Sequence, residues 1–449
     1  MGARKVLQSY SFSSSVTDPK GAFSLTFYPD EEGDYNDPLF DKIEMLDIVL
    51  IYERYKDGQI ADAAFTGIVK NKKYVVQMSD TGARRVISVT GYSIGGLIAD
   101  LKMTMDLHAM LLTGDIANDK TLNLKFTTEI ITESKDPPAI TDLVNKVYDA
   151  FIDISENYGK LTMPDVFKYI DNWMAPEKFF IDTEEKMFYP VGNLGVYKGT
   201  QSFFDLIEGV CAKPLYEIFP RMRKGKTEIV IRQAPFDKEK WLKIAHGWEE
   251  GKYELPIAID PTLLKSFDIA QSDSEVYTVF FAYLRGYPLT MDQQITIEKI
   301  RGDSSVVMDV EKFGKYGFRP LYLTINGFNY KQDDKDVADL QSERKTLSER
   351  LRDWFGNLEK MYNGTITLST SINRIMPETG EKISFLGGEF YITGAEHRWN
   401  YEGNPETILT VTRGAEYNQE GQYVGELKEV TKKYEEMKGG GSVYESWIT

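Results

Sequence analysis

The stretch Leu386–Gly414, LGGEFYITGAEHRWNYEGNPETILTVTRG, constrains this chain more than any other. Phe390 and Ile392 alternate with Glu389, Tyr391 and Thr393, and Leu409 and Val411 alternate with Ile408, Thr410 and Thr412. That is the period-two pattern of half-buried strands. Glu402-Gly403-Asn404-Pro405 supplies the turn between them, so the stretch reads as a β-hairpin. A weaker copy lies near the other end, where Phe65-Thr66-Gly67 opens a strand, Asp80-Thr81-Gly82 turns, and Arg85-Val86-Ile87-Ser88-Val89-Thr90-Gly91 returns. Thr-Gly begins both units and Val-Thr followed closely by Gly ends both. They read either as an internal repeat or as two ordinary hairpins.

A chain of 449 residues points to about three or four domains. In residues 1–130, Lys5 to Val16, Ala22 to Tyr28, Asp47 to Arg54, Ala63 to Val76 and Arg84 to Tyr92 are rich in β-branched and aromatic residues. Turn clusters such as Thr17-Asp18-Pro19-Lys20-Gly21 and Lys56-Asp57-Gly58 separate them, which predicts a barrel or sandwich. Glu31-Glu32-Gly33-Asp34-Tyr35-Asn36-Asp37 lacks the ligand spacing of a calcium loop and reads as a solvated one.

Across residues 131–254 the period turns helical. Thr141 caps a helix with Leu143, Val144, Val147, Tyr148, Phe151 and Ile152 on one face, and Pro164 opens a second before Val166, Phe167, Ile170 and Trp173. Tyr197 to Arg223 reads as another helix or two, followed by a strand over Thr227 to Arg232. Residues 255–335 form a mixed β region, in which polar turn residues precede a β-prone run from Val276 to Tyr283. Arg301-Gly302-Asp303 and the sequon Asn363-Gly364-Thr365 are coincidental tripeptides. A long helix is predicted from Asp336 to about Met361, with Leu340, Leu347, Trp354 and Met361 at heptad spacing. Val337, Leu351 and Leu358 follow on the companion row, which Arg344 interrupts. It is expected to dock on a sheet, with packing against a neighbouring subunit as the alternative. Residues 365–415 hold the hairpin strands, and 416–449 a C-terminal helix, a Gly-rich linker and an end peptide.

No apolar run approaches the roughly 20 residues that span a bilayer, and the start is polar and Ser-rich, so synthesis and folding in the cytoplasm are expected. The lone Cys211 sits on an apolar stripe and reads as a small buried hydrophobe. A formal charge of -16, from 69 acidic and 53 basic residues, argues against a protein built to grip nucleic acid. The three histidines, His108, His246 and His397, have no metal-binding spacing, and no Cys-His pair, nucleophile elbow or phosphate loop is present. A carboxylate pair of glycosidase type stays open, since acidic residues abound. No catalytic, cofactor-binding or metal-ligating residue is assigned, and His397 reads as a strand residue that packs locally.

The two hairpin units resemble the tube-like barrel domains of phage tail baseplate hub proteins and related contractile injection particles. The residues that carry this are Gly387 and Gly388 before Phe390-Tyr391-Ile392, then His397, then the closing Thr412-Arg413-Gly414. Arg232, Pro235 and Phe236 match a further family-like segment, as do Ile259-Asp260-Pro261 and the run from Phe267-Asp268-Ile269 to Glu275-Val276-Tyr277. The resemblance covers most of the chain and is weakest in the helical insertion. It implies an α+β, mainly β fold: two tube-like antiparallel β-barrel domains of one topology, an inserted helical domain and a further small α/β region. It implies a structural, non-enzymatic hub. Three copies would form a homotrimer ring that adapts a six-fold tail tube to a three-fold spike around a channel with a neutral or negative inner surface.

The implied partners are the tail tube protein and the tail spike, with the tape-measure protein and other baseplate or wedge proteins as further candidates. DNA would pass through without specific binding, and no stable membrane insertion is implied. The implied location is the virion tail baseplate or an injection particle, assembled in the host bacterial cytoplasm. The peptide Val443–Thr449, beyond Gly439-Gly440-Gly441-Ser442, is expected to dock on a neighbour, as an added strand on a sheet edge. The alternatives are the tail-tip hub of a long flexible-tailed phage, a cell-wall glycosidase and a cell-surface binding module.

Overall fold

A computed structural model of the chain describes residues 7–28, 38–54, 60–79, 82–99, 102–103, 174–182, 201–202, 204, 211, 213–244, 256–285, 306–326, 334–369, 377–401, 403–418 and 421–427. Its strands begin with β1 (Leu7–Ser15), β2 (Asp18–Phe27), β3 (Ile48–Arg54), β4 (Ile60–Ser79) and β5 (Gly82–Ser93). Then come β6 (Lys102–Met103), β7 (Met174–Asp182), β8 (Gln201–Ser202), β9 (Tyr216–Arg223) and β10 (Lys226–Gln233). Next are β11 (Ile257–Ala258), β12 (Leu264–Ala270), β13 (Val279–Arg285), β14 (Val307–Met308) and β15 (Pro320–Asn326). The last are β16 (Tyr362–Ser369), β17 (Lys382–Phe385), β18 (Gly388–Asn400), β19 (Glu406–Tyr417) and β20 (Tyr423–Gly425). The fold is α+β and mainly β.

A 12-stranded sheet runs in the order β12, β16, β19, β18, β1, β2, β5, β4, β3, with β11, β17 and β20 attached beside that path. The five strands read in residues 1–130 are all present, and so is the late hairpin. What joins them is β1 against β18, antiparallel from Ser9 opposite Asn400 to Ser15 opposite Gly394. Each strand thereby covers an edge that the other would leave unpaired. The two units expected as separate barrels are halves of one sheet, and its path ends at β12 and β3 without closing among the described residues.

Each half buries one face in its own core. Phe12, Phe23, Ile51, Phe65, Val69, Ile87 and Val89 pack under the first. Ile366, Leu368, Ile383, Phe390, Ile392, Leu409 and Val411 pack under the second. Fully burying side chains of this size stabilises the fold by roughly 1.5 to 3 kcal/mol each. Two glycines of the hairpin serve this packing. Leu386 and Gly387, at φ 53 and 77, make the two-residue turn from β17 to β18, a geometry that favours glycine. A Cβ on Gly414 would stand 2.0 Å from the Phe390 ring, so only glycine lets that ring lie flat against the strand.

Three expectations are corrected. Tyr391 does not face solvent opposite Phe390 and Ile392; all three are fully buried, so this part of β18 is covered on both faces. Residues 216–223 are strand β9, not helix, and pair along their length with β10. Pro220 opposes a helix there, and Lys224-Gly225, at φ 50 and 75, forms a hairpin turn between the two strands. The long helix spans Asp334–Phe355 and stops at Gly356, ahead of a 3-10 turn at Leu358–Lys360. It docks on the three-stranded sheet of β14, β13 and β15 through Leu347, Leu351 and Trp354. Arg344, the interruption in its apolar row, is buried there and donates to the Ala282 carbonyl at 3.2 Å.

The predicted helices over Thr141–Ile152 and Pro164–Trp173, the acidic loop, the Arg-Gly-Asp tripeptide, His108, His246 and the peptide Val443–Thr449 lie outside the described residues.

Candidate channel wall

The face of the large sheet opposite its cores is lined with hydroxyls. Directly opposed residues share a face, so the register can be followed across the strands. Ser9 and Ser11 on β1 stand opposite Thr26 and Ser24 on β2, and these stand opposite Ser88 and Thr90 on β5. Ser88 and Thr90 face Lys73 and Asn71 on β4. In the other direction Ser9, Ser11 and Ser13 oppose Asn400, Arg398 and Glu396 on β18. Those lead to Glu406, Ile408 and Thr410 on β19, to Ser369, Thr367 and Thr365 on β16, and to Ser266 and Asp268 on β12. None of these residues is buried. The alternate residues of the same strands, such as Phe12, Phe23, Val89, Leu409 and Ile366, are the core.

Charges on this face are few, and three of them, Glu406, Arg398 and Lys265, form one ion-pair ladder. The Glu406 carboxylate takes Arg398 Nε and Nη2 at 2.8 and 2.7 Å and also bonds Lys265 Nζ. Hydrogen bonds from Lys265 and Arg398 hold its pKa below the usual carboxylate range. Beside this ladder, Ser9, Ser11, Ser24, Glu396, Arg398 and Asn400 help line an open basin of about 250 Å³. Such a surface offers water many hydrogen bonds.

Beyond Gly394 the same face is covered by the three-stranded sheet of β7, β10 and β9. A buried polar junction fixes it there. Arg232 on β10 donates to Glu217 Oε2 at 3.1 Å, to the Gly380 carbonyl at 2.7 Å and to the Tyr391 hydroxyl at 2.8 Å. Tyr391 in turn donates to Glu217 at 2.6 Å. Burial raises the Tyr391 pKa well above its ordinary value and would lower that of Arg232, but Tyr391 and Glu217 more than offset this and hold Arg232 charged.

Phe236 packs edge-on against Tyr391, Trp354 and Phe355, and the Arg413 guanidinium lies 3.5 Å above its ring. Arg413 adopts φ 60, which breaks the alternation of β19 and turns its side chain to this junction. Burial lowers its pKa to about 10. Its Nη2 has no hydrogen-bond partner among the described residues.

The residues singled out in the sequence are thus packing and positioning groups. His397 stacks on Phe12 at 4.7 Å and bonds Thr407 Oγ1 at 2.9 Å, and burial lowers its pKa to about 4. Cys211 is fully buried. Asp260 caps the 3-10 turn that opens with Pro261. Asn363 of the sequon binds Glu275, Thr412 and the Arg413 amide. No group of three or more acidic, His or Cys residues able to hold a metal occurs among the described residues. The serines of β1 went unrecognised in the sequence, although Ser9, Ser11 and Ser13 alternate with Tyr10 and Phe12.

No protein-family model matches the chain, and no curated protein matches it. Among solved structures, it is similar to the tail protein from Neisseria meningitidis MC58, with 10% identity, a TM-score of 0.44, and 91% of this chain and 92% of that one covered. It is also similar to the 43 kDa tail protein of prophage MuSo2 from Shewanella oneidensis, with 12% identity, a TM-score of 0.45, and coverage of 91% and 94%. A third is an E. coli component of the type VI secretion system with structural similarity to the T4 bacteriophage tail proteins gp27 and gp5; identity is 9%, TM-score 0.35, and coverage 94% and 77%. These are tail and secretion-system proteins. At TM-scores below 0.5 the likeness carries no functional argument.

Proposed function

We propose that the chain is a structural baseplate hub of a phage tail or a phage-like contractile injection particle. The observation that carries this is the hydroxyl face, continuous from Ser266 on β12 to Asn71 on β4 and backed by apolar cores throughout. The residue-level resemblance at Gly387 to Gly414 and at Arg232 to Phe236 points the same way.

In this reading three copies form a ring with the hydroxyl face inward, joined through the outer edges of β3 and β12, which pair with no further strand among the described residues. Nine strands on the path of each copy give, at about 4.8 Å per strand, a wall about 130 Å around and a backbone diameter of at least about 40 Å once tilt widens it. The ring adapts the six-fold tail tube to a three-fold spike and lets DNA pass without retention. Its place is the virion tail, and its partners are the tube and spike proteins. The role in this reading is structural, and His397, one of three histidines in the chain, is engaged by packing and by Thr407.

Light scattering on the purified full chain tests the assembly. A mass three times that of the 51.3 kDa chain is expected; a monomer at micromolar concentration would count against the ring.

A further inference from the structure

Lys265 and Arg398 are the only exposed cations on the β12 to β18 half of the hydroxyl face among the described residues. They approach Glu406 from opposite sides. Arg398 sits directly across the strand pair from it, whereas Lys265 reaches over β16 from β12. Each carboxylate oxygen serves one cation, Oε1 for Lys265 and Oε2 for Arg398. The two cationic side chains are 43% and 50% exposed and Glu406 is 19% exposed, so a polymer on this face would meet both cations if they were released.

We propose that Glu406 determines how strongly this face adheres to polyanions, by engaging both cations so that a phosphodiester chain finds no partner for its phosphates. The biological sense of this rests on the channel reading, but the masking itself does not require a ring. It also differs from a plain effect of net charge. Glu396 carries the same charge on the same face, next to Ser13, and takes no part in the ladder.

The experiment titrates a short fluorescent double-stranded DNA with the full-length protein and with Glu406→Gln, Glu396→Gln, and Glu406→Gln combined with Lys265→Gln and Arg398→Gln. Light scattering is run on each sample. Glu406→Gln should bind the DNA measurably tighter than the unmodified protein does. With two phosphates neutralised, the gain should fall about tenfold between about 50 and 200 mM salt. The triple variant should return to the original level, and Glu396→Gln should stay there. The proposal is overturned if Glu406→Gln binds no tighter than the unmodified chain, or if Glu396→Gln gains as much. A monomeric mass together with the Glu406→Gln gain would uphold the masking and contradict the ring, so the two readings fail separately.

Discussion

Arg413 lies with its guanidinium carbon 3.5 Å above the ring of Phe236, and this contact joins two segments that the sequence marks far apart. Phe236 also meets Tyr391, Trp354 and Phe355 edge-on, so one ring holds the late hairpin, the β9–β10 hairpin and the long helix together. Phe236→Ala should destabilise the fold by about 2 to 4 kcal/mol, somewhat below the range for aromatic truncations in full cores because the ring is only partly buried. Urea denaturation measures it, and a loss below about 1 kcal/mol would show that the junction is not central.

At Arg413 itself, charge is a burden: the group is buried, its Nη2 is unpartnered among the described residues, and burial lowers its pKa. Arg413→Met keeps the stack's apolar contact and removes the desolvated charge, whereas Arg413→Lys keeps a compact, strongly hydrated charge in the same place. The lysine variant should therefore melt below the methionine variant. The reverse order in a thermal melt would mean that an ionic partner holds Arg413.

The Arg232, Glu217 and Tyr391 cluster behaves as a unit. Removing one partner leaves a buried charge uncompensated, so Arg232→Met should cost about 3 to 5 kcal/mol. Arg232→Met with Glu217→Met should cost less than the sum of the single changes. Strict additivity in a double-mutant cycle would contradict the hydrogen bonds found at Glu217 Oε2.

His397 gives a pH dependence. Its folded pKa, about 4, lies below the ordinary 6.5, so the unfolded chain takes up the proton more readily between these values. Stability contributed by the neutral ring is complete above about pH 6.5 and falls as the pH drops toward 4. His397→Phe should flatten that slope in melts recorded across the window, and an unchanged slope would place the titrating group elsewhere.

Gly387→Ala tests the hairpin turn. At φ 77 an alanine enters the left-handed region at roughly 1 to 2 kcal/mol, which chemical denaturation would register. A neutral or stabilising effect would show that the turn relaxes.

Much of this was legible in the sequence because its signals are local. Alternation over Phe65 to Val76 and Arg85 to Val89 announces strands, and Leu347, Leu351 and Trp354 announce the docked face of the helix. The join of β1 to β18 left no local trace, since it depends on two strands at opposite ends of the chain finding each other's edges. The same distance hid the meeting of Arg413 with Phe236. The serines of β1 did carry a signal, alternating with Tyr10 and Phe12, but a polar row tells which face is wet and not what runs along it. Strand β9 is hard to tell from a helix by its apolar residues alone, and the signals that separate them are Pro220 and the Lys224-Gly225 turn.

The central claim is that the face bearing Ser11, Thr90, Thr367 and Thr410 lines the bore of a three-copy ring. Electron cryo-microscopy of the purified full-length assembly tests it most directly. A closed ring of three copies is expected, its open centre walled by those side chains, with Phe12 and Leu409 turned away from it. A ring with that face on its outer surface, or particles with no ring, would contradict it.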